Sequence, residues 1–340
     1  MQARTLALGL IAVGVLVGCS ASKHEQVALQ AVGAKSPHEL DLATDIVRNR
    51  LDLLGVKSAS IEVRGSNRLV IETGRRLSSE QKRLLARTGS LAFYDLEANL
   101  AAPSKEENGY PRATTDLFEL LRRTGPPGEL LLVDRRGRIL AGPETSRSAL
   151  FAMARLRGEV PKAAKVLSVP PNFTLVSCDA RLGCPGQRTE ARGKTLYYLL
   201  KRHPTLTGAD LKPSSILAAR GTQAAEGNGF VQLAFTRAGN RKFRDLTRKI
   251  ALRGQALANA AGEGDSDDQT DIVQFAQHFA IVLDGRLEST PYIDYKANPN
   301  GIDAAESGAE ISNMPTYEDA KDLAVVLASG ALPFHFALTR

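Results

Sequence analysis

Histidines, cysteines and one run of carboxylates are the residues with which this chain would do chemistry, and their spacing argues against it. His24, His38, His203, His278 and His335 are scattered, and none stands at metal-ligand spacing from another. His335, in "FHFAL", reads as an edge or core residue rather than a base. "DSDDQTD", residues 265–271, alternates carboxylates like the start of a calcium loop. It lacks the glycine that such a loop needs at its turn and has Ala276 where a bidentate glutamate would sit, so it reads as a solvated acidic loop. The glycine-rich stretches "GEG" and "GNG" lack the lysine and serine or threonine of a phosphate loop, and no nucleophile elbow is present. No catalytic residue, metal or cofactor is expected, and the chain is not expected to be an enzyme.

The cysteines divide into a terminal one and a pair. Arg4 precedes "TLALGLIAVGVLVGC", too short for an ordinary spanning helix and the right length for a signal segment. It ends in Leu16-Val17-Gly18-Cys19, which resembles a bacterial lipobox and implies lipidation of Cys19. Several acyl chains on one residue suffice for stable anchoring. The alternative is an uncleaved signal anchor with an incidental cysteine; both place the body outside the cytoplasm. Cys178 and Cys184, in "VSCDARLGCPG", are then a pair in an oxidising compartment, which favours a small disulfide loop over two free buried thiols. Two cysteines without a nearby histidine are too few for zinc.

The 340 residues suggest about two domains. Hydrophobic content of 43% and charged content of 24% allow a packed core. The net charge is +7 and the pI near 9.4, yet Lys and Arg are spread along the chain with no aromatic-studded basic motif. Nucleic-acid binding is therefore not expected.

A short tether leads to an alternating stretch at 26–32. A helix follows, capped by Ser36 with Pro37 at its first position and stopped by Gly55. "SASIEVRGSNRLVIETG" reads as a hairpin, "LSSEQKRLLARTG" as a helix stopped by Gly89, and "SLAFYDLEA" as a strand. The order is β-α-β-β-α-β, the split pattern of ferredoxin-like folds. Further on, "NRKFRDLTRKIALRG" is an amphipathic helix and "QALANAAGEGDSDDQTD" an exposed loop. "FAIVLDGRLESTPYI", 279–293, is a hairpin whose Asp284-Gly285 suits a tight turn.

Several separated blocks resemble one family in the same order. "DIVRNRLDLLGVKSASIEVRGSNRLVIETG" (45–74) is similar to the extracytoplasmic base of the protein-export subunit SecD. "TLTGADLK", "FTRAGNRKFRDLT", "FAIVLDGRLESTPYI" and "TYEDAKDLAVVLASGALP" resemble the head of the same domain. The resemblance implies an α+β fold: a ferredoxin-like base with a second α+β head subdomain inserted before the last base strand. The expected division is a lipoprotein-type signal peptide at 1–19, a tether at 20–25, a base at 26–96 plus 331–340, an enlarged insertion with the Cys pair at 97–204, and a head at 205–330. A lipobox-like leader stands where SecD has a spanning helix, so the implied form is a stand-alone lipoprotein without the transmembrane motor.

The implied role is protein export on the outer face of the cell membrane. The expected partners are unfolded secreted polypeptide or the translocon components SecY and SecF, engaged through an apolar groove or sheet edge. The alternative is an envelope lipoprotein that uses the fold for another partner. Candidate contact residues are Phe243, Leu283, Asp284, Gly285, Pro291 and Tyr292. Candidate hinges lie near 97–104 and 328–333.

Overall fold

The computed structural model describes residues 25–107, 109–122, 128–188, 193–220, 229–266, 268–305, 308–314 and 316–339. The expected signal peptide, Cys19 and the tether to residue 24 lie outside the described residues.

The first layer is built from β1 (Glu25–Ala31), α1 (Pro37–Leu53), β2 (Ala59–Arg64), β3 (Arg68–Thr73) and α2 (Ser79–Ala86). The last strand, β17 (Phe336–Thr339), completes it in the antiparallel order β17-β1-β3-β2. Local sequence fixes α1: Ser36 and Glu39 close a capping box and Pro37 opens the helix. Its apolar stripe of Leu40, Ala43, Val47 and Leu51 packs on Leu29, Leu69 and Ile71.

The strand at 91–95 corrects the sequence reading. It was expected as the sixth base element, but β4 (Leu91–Asp95) leaves the first layer and pairs with β13 (Gln277–Leu283) in a second sheet. Its alternation fits either sheet; long-range pairing decides, and β17 takes the vacant edge. The second sheet runs β10 (Leu206–Thr207), β4, β13, β14 (Arg286–Ser289), β8 (Phe173–Asp179) and β9 (Thr195–Lys201), with β15 (Tyr292–Ile293) also on β13. Both faces of β13 are buried. Phe279, Ile281 and Leu283 face one cluster, and Ala280 and Val282 face another. This explains why "FAIVL" is apolar throughout rather than alternating.

A third sheet, β11 (Leu217–Arg220), β12 (Gly229–Leu233) and β16 (Ala309–Met314), is packed by α8 (Tyr317–Ser329). A fourth comprises β5 (Leu130–Val133), β6 (Ile139–Glu144) and β7 (Lys165–Ser168), with α5 (Arg147–Arg157) on it. Short helices α3 (Leu96–Asn99) and α4 (Leu117–Leu120) lie between. The segment expected as an insertion thus divides: β5 to β7 form their own sheet, while β8 and β9 extend the second. Among the described residues no helix is long and apolar enough to cross a membrane.

Helix α6 (Arg237–Ala261) is longer than expected, and α7 (Gln269–Phe275) follows. Residues 255–261 are Gln, Ala, Leu and Asn, helix-compatible residues that the polar reading took for loop. Gly262, at φ 82°, ends the helix, and Asp268 caps α7 through the Thr270 N–H. Between these helices and β15 sits Tyr295, 1% exposed, whose hydroxyl has no hydrogen-bond partner among the described residues. A buried hydroxyl without a partner costs about 1–3 kcal/mol. Tyr295→Phe is therefore expected to raise stability by about 1 kcal/mol, read as a higher urea midpoint at unchanged m-value.

Candidate functional site

The β13–β14 hairpin turns on Asp284 and Gly285, at φ 52° and 74°, as a tight primed turn requires. The turn is docked on both sides. The Ser90 N–H donates to Asp284 Oδ1 at 2.8 Å and Arg87 Nε donates to Asp284 Oδ2 at 3.1 Å. The Ser177 N–H donates to the Gly285 carbonyl at 2.8 Å. Two of the expected contact residues are core: Leu283 is 0% exposed, and Phe243, 3% exposed, stacks on Phe235 with 4.8 Å between ring centroids. Neither reaches a client in this arrangement. Asp284 and Gly285 place the hairpin, while Pro291 and Tyr292, the latter 45% exposed, reach the surface.

Beside the hairpin lies a groove of about 550 Å³, lined by Arg181, Gly183, Leu287, Ser289, Pro291 and Ser312 among others. It opens because β14 and β8 run parallel but pair only at Arg286↔Ser177. Beyond that residue the strands part, and β16 borders the gap through Ser312. A disulfide joins Cys178 to Cys184 and shapes the wall that Arg181 and Gly183 line. Arg181 grips Asp179 through both side-chain oxygens, and this hydrogen bonding pulls the Asp179 carboxyl down to about 2. Opposite, Ile281 pairs with Ser289 and Val282 with Leu287, so Glu288 is the extra residue of a bulge. Burial pushes its carboxyl above the usual range, with Arg87 Nη2 at 3.6 Å. The groove is more polar than the apolar one expected.

Sequence reasoning missed the residue that ties the first layer to the second. Arg50 of α1 is 0% exposed and has no carboxylate partner among the described residues. Its Nε donates to Ser329 Oγ at 3.0 Å, and its Nη1 to the Leu84 carbonyl at 2.8 Å and the Leu85 and Arg87 carbonyls. Its Nη2 donates to the Thr88 and Gly330 carbonyls at 3.3 and 3.1 Å. Leu84 and Leu85 end α2, and the other acceptors lie on the two stretches by which the chain leaves and re-enters the first layer. The Leu332 N–H donates to the Thr88 carbonyl at 2.8 Å and ties the stretches to each other. The crossings are thus 87–90 and 329–335, so the hinge expected at 97–104 is misplaced, because β4 already belongs to the second sheet. Segment 97–104 is itself fixed: the Leu199 N–H donates to the buried Ser104 Oγ at 2.9 Å. A sequence signal for Arg50 existed: it follows Ile46 and Val47 on the apolar stripe of its helix.

The described histidines stay apart, and His24 lies outside the described residues. His38 and His203 are exposed, His335 is half-buried, and His278 Nδ1 lies 2.7 Å from Glu97 Oε1. Among the described residues no group of side chains could hold a metal ion.

Two family models match. "SecDF, P1 head subdomain" covers residues 186–334, and "Protein translocase subunit SecDF, P1 domain, N-terminal" covers 40–98. The SecD translocase subunit of Anaeromyxobacter dehalogenans is 25% identical over 87% of the chain and 44% of its own length. That of Streptomyces coelicolor is 35% identical over 35% of the chain and 16% of its own length. The chain spans less than half the length of these relatives. The crystal structure of SecDF in its super-membrane-facing form covers 93% of the chain and 29% of its own chain, at a TM-score of 0.50 and 21% identity, and shares the fold. By two family models, by SecD relatives along most of its length and by a shared α+β fold, the chain is similar to the P1 domain of SecD.

Proposed function

We propose that this chain is an extracytoplasmic accessory factor of protein export that holds translocating polypeptide in the groove between β14, the disulfide loop and β16. The observation that supports it is the parting of β14 from β8, which leaves strand edges facing a polar cleft. An extended chain entering there meets backbone donors and acceptors, and main-chain hydrogen bonds bind with little regard to sequence. That suits clients that share only an unfolded backbone. The first layer, built from β1 to α2 with β17, would carry the head, and a lipid on Cys19 would hold both at the cell membrane beside SecY and SecF.

Photocrosslinking in cells tests this, with probes replacing Ser289 and Thr290, which line the groove, and a control at Tyr110, which is 40% exposed and does not line it. Crosslinks to secreted precursors are expected from the groove positions and not from Tyr110. Ser312→Trp fills the groove and is expected to lower their yield about tenfold, the loss of roughly 1.4 kcal/mol of binding. Equal yields at Tyr110, or yields indifferent to the tryptophan, would refute the groove. A single partner captured from Tyr110 alone would favour an envelope binding module that serves another partner.

A further inference from the structure

Helix α6 buries Phe243, Leu246, Ile250, Ala251 and Gly254. At 100° per residue its opposite side gathers Arg237, Arg241, Arg244, Arg248 and Leu252 into an arc of about 80°. All five are exposed, Leu252 at 53%. Along the axis they extend over roughly 22 Å. Arg244 has a distant partner, Asp303 at 3.9 Å. Among the described residues no carboxylate pairs with Arg237, Arg241 or Arg248, and Asp245 is the acid at the margin of the arc. Like charges three and four apart on a helix repel, so apart from the Arg244–Asp303 pair the fold itself gains nothing from this array.

We propose that the exposed face of α6 docks on an anionic phospholipid surface. The first reason is charge complementarity of a specific kind. Guanidinium forks match phosphate oxygens in pairs, and a straight row of four suits a planar field of phosphates that needs no particular register. The second is Leu252. An acidic protein would gain little from a leucine set among arginines, whereas at a membrane the arginines lie at headgroup level and the leucine enters the acyl boundary. The surface is separate from the groove and does not depend on it.

The test uses the whole chain carrying Leu252→Cys labelled with a polarity-sensitive dye. It is mixed with vesicles of one part phosphatidylglycerol to three of phosphatidylcholine, or of phosphatidylcholine alone. An acyl anchor or apolar leader would attach the protein to both, but only docking of this face moves the dye out of water. The emission is expected to shift to the blue on the anionic vesicles and to revert in high salt. Replacing Arg237, Arg241 and Arg248 with glutamine should weaken the response about a hundredfold in lipid concentration. These side chains are exposed, and an unchanged melting temperature would show that the fold persists. A dye that stays in water on anionic vesicles, or an equal shift in the glutamine variant, overturns the proposal. A shift with soluble polyglutamate but not with vesicles overturns it in favour of an acidic protein partner.

Discussion

Arg50→Ala is expected to lower stability by at least about 3 kcal/mol, because one guanidinium satisfies several buried acceptors at once. The acceptors explain why no carboxylate is needed. Leu84 and Leu85 are in the last turn of α2, and Ser329 and Gly330 stand at the end of α8. The final carbonyls of a helix have no intrahelical partner and carry about half a negative charge. Arg50 therefore sits between two helix C-termini, and their dipoles replace a counter-ion. Burial pushes its guanidinium down to about 10, which still leaves it charged at neutral pH. Alanine would leave those carbonyls unsatisfied and open a cavity among α1, α2 and α8. Lysine keeps the charge but has three donors and no fork, so Arg50→Lys should fall between. Urea unfolding gives the stabilities, and hydrogen exchange at the Leu332 amide shows whether the crossings open before the rest. A loss below about 0.5 kcal/mol in the alanine variant, within the range of an ordinary surface substitution, would contradict the role assigned to Arg50.

That dependence bears on the proposed export role. A groove beside β14 is useful only if held in a defined place relative to the first layer. The turn at Asp284 is bonded to Arg87 and Ser90, on the crossing whose carbonyls Arg50 holds. Hairpin, crossings and α1 thus form one connected set of hydrogen bonds. The tight Asp-Gly turn fixes the groove's position, and the residues beyond it, 287–291, supply its wall.

What the sequence disclosed and what it hid follow from the range of the interactions. Local signals were legible: the capping box at Ser36 and Glu39, the Asp284-Gly285 turn, and the Cys178–Cys184 loop, which closes over a few residues. The pairing of β4 was not, because 91–95 suits either sheet and its true neighbour lies at 277–283. Phe243 and Leu283 stand in family-like motifs, and such motifs hold core residues as readily as surface ones. Ser312 and Arg181 were missed because neither carries a local pattern. They meet only where β16 and the disulfide loop converge.

Gly89→Ala is the second large effect expected, and here the sequence reading and the structure give one residue different work. As the stop of a helix, Gly89 would need only its positive φ. But α2 ends at Ala86, and Gly89 lies within the crossing, at φ 78°. A β-carbon there would stand 2.8 Å from Val326 Cγ1 and 3.1 Å from Arg50 Nη2. Val326 is fully buried and Arg50 is held by its carbonyls, so neither can yield easily. The left-handed backbone costs an alanine about 1–2 kcal/mol and the overlap about 1–3 more, for a loss of roughly 2–5 kcal/mol. Gly55 is the internal control: it has φ 71° and nothing within 4 Å of its added carbon. Gly55→Ala should therefore show the backbone strain alone, about 1–2 kcal/mol. The difference between the two urea midpoints measures the packing of the crossing, free of the φ cost that both share. Equal losses would mean that the crossing has room to spare and that Arg50 does not hold it closely. A larger loss at Gly89, with crosslinking from Ser289 reduced in the same variant, would tie the packing of the crossing to the working of the groove.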